Sequence, residues 1–194
     1  MSTQKRRYEL KARAESQQAT RASIAAAAAE LHEQLGIAKT TVTDIARRAG
    51  VQRLTVYNHF PGLDELLPAC TAHFRAAHPP PDLEPALALE DAGERLRAAL
   101  TATYGWYREV APMQRRIQGE RASVPELDAW MSQSADPMLA QFTGALSAGF
   151  DRPDAHALVA LALDFWTWQR LDREGLDDAA AAELMTGVAR GSGA

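Results

Sequence analysis

Residues 40–63 read TTVTDIARRAGVQRLTVYNHFPGL, and the fold of the chain turns on them. Thr41, followed three residues later by Asp44, is a variant capping box, so a helix begins there. Asp44 also suits the positive end of that helix's dipole. Ile45, Ala46 and Ala49 share the inward face, and Ala46 is small enough for the next helix to cross closely. Gly50 fits a left-handed turn position that a side chain would strain, and Val51 plugs the turn. A second short helix runs from about Gln52 to His59, with Val56 toward the core. Two short helices joined by a glycine turn, with basic and hydroxyl side chains on the second, have the layout of a DNA-reading helix-turn-helix.

Upstream, residues 17–35 predict a helix. Ala25 to Ala29 have the highest helix propensity. Ile24, Ala27, Ala28, Leu31 and Leu35 recur at helical spacing on one face, and Gly36 is a C-cap. Residues 1–16 are polar and carry Lys5, Arg6, Arg7, Lys11 and Arg13. They read either as a disordered tail or solvated extension of the helix, or as a basic arm that reaches DNA phosphates or the minor groove. Downstream, a third element runs from near Gly62 to about Ala77. Pro68 inside it predicts a kink or a delayed start. Pro79, Pro80, Pro81 and Pro85 make 78–88 a stiff connection.

Beyond that the pattern is helical throughout, with helices expected at about 90–110, 112–119, 125–132, 134–149, 154–174 and 177–190. Pro112, Pro125, Pro137 and Pro153 stand where helices can begin, and Gly149 and Gly175 where two end. Residues 157–168 are apolar nearly all round, so that helix is buried on more than one side. With 134–149 it can build a four-helix bundle across a two-fold axis, placing Leu146, Leu158, Leu161 and Phe165 at a dimer interface. The alternative is a central core helix in a monomer. The fold class is therefore all-α: a basic arm (1–16), a three-helix helix-turn-helix domain (17–61), and a helical domain (62–194).

Charge divides the same way. Residues 1–60 hold ten Lys and Arg against five Asp and Glu, a net of +5; residues 61–194 hold eleven against twenty, a net of −9. A basic front joined to an acidic remainder points to a polyanion-binding part and a part that stays off the polyanion. The single cysteine, Cys70, excludes an internal disulfide and fits a reducing cytoplasm. No apolar run approaches the length needed to cross a bilayer, and no secretion signal follows the basic start.

The stretch 40–51, with TVYNHF at 55–60, closely resembles the signature of TetR-family transcriptional regulators. Arg21, Ile24 and Leu31 resemble that family's first helix, and the resemblance covers roughly residues 17–67. It implies a homodimer that sets two recognition helices in successive major grooves of a palindromic operator, and it makes 62–194 a ligand-binding and dimerisation domain. A small-molecule effector bound in the C-terminal domain would release the DNA, as in a repressor. By resemblance, Arg53 and Thr55 reach bases and Leu54 meets a thymine methyl. Tyr57, His59 and Thr41 contact phosphates, and Thr43, Gln52 and Asn58 complete the DNA-facing set. Two positions depart from the family pattern. Thr43 shortens a possible base contact, and Leu63 replaces a phosphate-binding lysine, a change the basic arm can offset. The rival reading is a helical DNA-binding factor without a small-molecule response, architectural or controlled by a protein partner.

Ligand-contact candidates in the second domain are Tyr104, Trp106, Tyr107, Met113, Trp130, Phe142, Asp164, Phe165 and Trp168, because pockets are mostly apolar with few polar anchors. Each aromatic also suits a core. Asp164 either anchors a ligand, as Tyr104 and Gln169 can, or pairs with an arginine. Arg115, Arg116 and Arg121 are solvated charge or a seat for an acidic ligand. Cys70, His73 and His78 match no common zinc spacing, so no metal and no cofactor is expected. No Gly-x-Ser-x-Gly, phosphate-binding glycine loop or His-Glu-x-x-His is present, and the chain is not expected to be an enzyme.

Overall fold

The computed structural model describes residues 2–191, with side chains from residue 7 onward. All regular structure among them is helical: α1 (Ser2–Leu35), α2 (Val42–Ala49), α3 (Arg53–His59), α4 (Leu63–Ala77), α5 (Glu84–Leu87), α6 (Ala92–Glu120), α7 (Pro125–Gln133), α8 (Ala135–Ser147), α9 (Ala155–Leu163), α10 (Phe165–Arg173) and α11 (Asp178–Arg190). The chain forms two compact units, Met1–Pro79 with Arg115–Trp130, and Pro80–Gln114 with Met131–Ala194.

In the first unit α1 packs against α2 and α4, and α2 against α3. Ile24, Ala27, Ala28 and Leu31 are buried on α1, and the alanines let neighbouring backbones come close. Leu35 departs from the expected face and is 40% exposed, one residue before Gly36 turns the chain at φ 92. The helix does not begin at residue 17. It starts at Ser2, so the basic N-terminus is a helical extension whose residues 7–16 are exposed. The side chains of Lys5 and Arg6 lie outside the described residues.

α4 starts at Leu63 without delay and carries Pro68 internally. Its Cys70 is buried and lies 3.7 Å (Sγ to Nδ1) from His32 of α1, itself 3% exposed. Burial lowers His32 to a pKa of about 4 and pushes Cys70 up to about 12, so both are neutral packing groups between two helices. Of the other two residues weighed for zinc, His73 is exposed and the His78 ring lies tilted against Phe74, with centroids 4.7 Å apart.

The last turns of α6 and the segment after it belong to the first unit. Glu120 accepts hydrogen bonds from the backbone N–H groups of Ile37 (2.6 Å) and Ala38 (3.1 Å). Arg116 donates to the carbonyl of Gln34 at 3.1 Å, and Arg121 to Asp128 at 2.6 Å.

The second unit has its own core, built from Leu96, Leu100, Tyr104, Tyr107, Leu146, Val159, Phe165, Trp168 and Met185, among others. Several sequence expectations change here. Helices 90–110 and 112–119 are one helix, α6, with Pro112 inside it. Proline removes one bond, to the carbonyl of Arg108, but burial of Val110, Ala111 and Met113 carries the helix through. The connection 78–88 contains α5, because Leu83 and Ala86 bury into the core. The helix expected at 154–174 is two, broken at Asp164.

The break has a visible cause. Asp164 adopts φ −70, ψ 133, and its side chain caps α10 by accepting from the Thr167 N–H at 3.0 Å. That N–H would otherwise serve the Leu163 carbonyl. Tyr107 donates to that carbonyl instead, and Tyr104 to the carbonyl of Ala162, each at 2.7 Å. Asp164 is thus a helix cap, and neither an arginine partner nor an orphan. A second tie joins three helices: Arg108 donates two bonds to Asp178 and one to Asp172, and Trp168 Nε1 donates to Asp178 at 3.1 Å. Arg108 holds the Asp178 carboxyl below its ordinary range.

The neutral His32 generates a pH prediction. Its folded pKa lies below the unfolded value of about 6.5, so the unfolded chain takes up a proton first and stability falls as pH drops from about 6.5 to 4. Urea unfolding at pH 7 and pH 4.5 should show wild type losing on the order of 1–3 kcal/mol more than His32→Gln. Equal losses in the two proteins would mean that the His32 pKa is not depressed.

Candidate nucleic-acid interface

The helix-turn-helix is built on α2. Thr41 is its N-cap, with the hydroxyl accepting from the Asp44 N–H at 3.2 Å and donating to Asp44 Oδ2 at 2.5 Å. That hydroxyl holds the Asp44 carboxyl below its usual range. One hydroxyl has one proton, so Thr41 cannot also donate its O–H to a phosphate while this cap stands. What α2 offers an anion is its free backbone N–H groups. Arg47 pairs with the same Asp44, and Arg48 reaches back to Glu30 (2.7 Å) and Gln34 (3.2 Å) of α1. Both arginines are therefore engaged in scaffold contacts.

At the other end Gly50 is left-handed (φ 69), and the Val51 N–H donates to Ala46 O at 2.9 Å, closing the helix and aiming the chain into α3. Gln52 is the N-cap of α3 without a side-chain bond. Val56 and Phe60 are buried, which leaves Arg53, Leu54, Tyr57 and Asn58 on the exposed face at helical spacing. Leu54 is 66% exposed. Thr55 and His59 are half-buried. Thr43 is exposed on the first turn of α2. Among the described residues Arg53 takes part in no ion pair.

Sequence reading passed over the contribution of α1. Arg21 lies over the Phe60 ring, 4.0 Å from its centroid, and donates to the His59 carbonyl, so α1 holds the end of α3. Gln17, Gln18 and Arg21 line an open hollow with Thr55, Asn58 and His59. The signal was present as helical spacing: Gln17 lies one turn before Arg21, and the extension carrying Lys11 and Arg13 continues from there.

The ligand candidates do not all come together. Tyr104, Tyr107, Phe165 and Trp168 form one aromatic cluster, with Tyr107 edge-on to Phe165 at 5.4 Å and 5.8 Å from Trp168. Trp106 and Phe142 are partly buried beside that core. Burial raises the phenols of Tyr104 and Tyr107 well above their ordinary range, so both remain hydrogen-bond donors. Met113 is buried in the second unit, whereas Trp130 belongs to the first. Of the expected interface residues, Leu146 and Phe165 are in the protomer's own core at 0% and 2% exposure and are closed to a partner. Leu158 is half-buried, and Leu161 is 51% exposed.

Comparison with known proteins matches this geometry. Residues 24–70 fit the family described as bacterial regulatory proteins, tetR family. The whole chain resembles the solved structure of a TetR-like transcriptional regulator from Rhodococcus sp. RHA1, with a TM-score of 0.61 and 24% identity over 89% of this chain and 95% of that one. It also resembles a transcriptional regulator from Rhodococcus sp. Rha1, with a TM-score of 0.59 and 21% identity over 88% and 93%. No curated protein sequence matches significantly. Residues 24–70 thus carry the N-terminal domain described for the tetR family of bacterial regulatory proteins, and the likeness of the rest of the chain to these solved structures is one of fold.

Proposed function

We propose that the chain is a homodimeric repressor that reads a palindromic operator through α3 and leaves it when a small molecule binds the second unit. The observation that carries the reading is the outer face of α3: Arg53, Leu54, Tyr57 and Asn58 exposed on a scaffold held from behind by Arg21 and Arg48. An unpaired arginine at the start of a recognition helix can grip guanine O6 and N7 together. Leucine beside it suits a thymine methyl, and Tyr57, Asn58 and His59 suit phosphates. Thr43 and the free backbone N–H groups at the start of α2, which the Thr41 cap holds in place, suit the phosphate backbone, with Gln52 and Thr55 at the edges of the same surface. The helical extension of α1 adds Lys11 and Arg13 beyond the hollow that α1 shares with α3, a source of phosphate contacts in place of the lysine that Leu63 displaces.

Dimerisation is assigned to α8 and α9, which pack on each other and leave Met138, Leu139 and Leu161 exposed. Two such pairs make a four-helix contact. Effector binding is assigned to the aromatic cluster around Tyr107 and Trp168. One observation favours the rival, a regulator without a small-molecule response: the tyrosine hydroxyls are already bonded to backbone carbonyls and the rings pack on one another. The two readings part on whether any small molecule lowers affinity for the selected site.

Selection of bound sites from random DNA should return a palindrome, and in Arg53→Ala the preference at one base pair per half-site should fall by about 1–3 kcal/mol. A selected motif identical to that of wild type would remove Arg53 from base reading. Deleting residues 2–16 should weaken binding to all sequences and flatten the dependence of log affinity on log salt, by about one unit for each phosphate no longer neutralised. An unaltered slope means that the extension does not touch DNA. Leu161→Glu should elute as a monomer on a sizing column; an intact dimer would place the interface elsewhere.

A further inference from the structure

We propose that Glu120 is a positioning residue for DNA reading: its carboxylate fixes the α1–α2 turn, and through that turn the start of α2 and the seat of α3. The inference rests on the DNA-reading role proposed above.

α1 ends at Leu35, and the turn that follows leaves consecutive amides pointing out of the chain. Two successive backbone N–H groups make an anion seat. Here the anion is supplied by the protein, from 83 residues downstream: Glu120 Oε2 takes both the Ile37 and the Ala38 N–H. Gly36 is bound to this arrangement twice. Its φ of 92 is left-handed, and a Cβ there would fall 1.9 Å from Glu120 Oε1. One turn earlier on α6, Arg116 takes the Gln34 carbonyl, an end group of α1. From the other side Thr40 Oγ1 donates to the Gly36 carbonyl at 2.6 Å, and the Thr40 N–H to the Ile37 carbonyl at 3.2 Å. Ile37 itself is buried.

The next residue is Thr41, the cap of α2. Between it and α3 there is only one rigid helix and the Gly50 turn, so a shift of the α1–α2 turn displaces Thr43 and Arg53 together. Glu120 touches none of the expected DNA contacts. As a negative charge it can only oppose a polyanion, so its removal should raise affinity if electrostatics alone mattered. A fall in affinity is therefore diagnostic of positioning.

The test uses the full-length protein and the DNA site selected by wild type. Glu120→Ala should lower affinity by on the order of ten-fold, with an unchanged salt slope because every phosphate-binding group stays in place. Glu120→Gln keeps an acceptor oxygen for both amides and should remain within about three-fold of wild type. Glu120→Asp retains the charge but is one methylene short, and should resemble Glu120→Ala; it serves if the alanine variant fails to fold. Amide hydrogen exchange at Ile37 and Ala38 should accelerate in the alanine and aspartate variants and stay slow in the glutamine one. Faster exchange with unchanged affinity, or unchanged exchange, overturns the proposal. If wild type selects no DNA, the regulator reading falls and the positioning role with it, while the exchange data still report whether the carboxylate holds the turn.

Discussion

A helix leaves several N–H groups unpaired at its start and several carbonyls at its end, and each buried one without a partner costs free energy comparable to that of a missing hydrogen bond. In a chain made of helices, that constraint decides where the chain can turn and what must stand beside each turn. Here it is met in three ways. The Thr41–Asp44 cap and the Gly50 turn serve α2 locally. Asp164 and the two tyrosines serve the break between α9 and α10, one from within and two from α6. Glu120 serves the end of α1 from far along the chain.

This ordering by distance explains what could be read in advance. The α2–turn–α3 element was legible because all its determinants lie within about twenty residues: the capping pair, the small Ala46, the obligatory glycine and the period of Ile45 and Val56. The buried face of α1 was legible for the same reason. The N-terminal limit of α1 was not, since residues 7–16 have no apolar face to show where a solvated helix stops. Pro112 misled in the opposite direction. Proline marks a helix start when nothing else competes, but buried neighbours on both sides keep α6 whole.

Asp164 shows how a polar residue in an apolar run can serve the local structure. Between Leu163 and Phe165 it has the look of a functional charge, because burying a carboxylate is expensive. Its oxygen instead completes the first turn of a new helix, and the break it permits is held open by phenol donors more than fifty residues earlier. No local pattern carries that information. The same holds for the interface residues. Leu146, Leu161 and Phe165 are alike as sequence, and only the packing of α6, α8 and α11 around them settles that Leu161 alone keeps half its surface open.

The candidate DNA surface also looks different once its hydrogen bonds are assigned. Thr41 was expected to meet a phosphate, yet its hydroxyl is engaged within the protein, as are Arg47 and Arg48 of α2. The side chains of the α3 outer face and the backbone amides of α2 are left for a ligand. That division suits a reader of DNA. Groups that must hold the frame rigid are bonded to it before DNA arrives, so they give up little freedom on binding. Arg53, the proposed base reader, takes part in no ion pair among the described residues, and a group of that kind has the most to gain from the correct base.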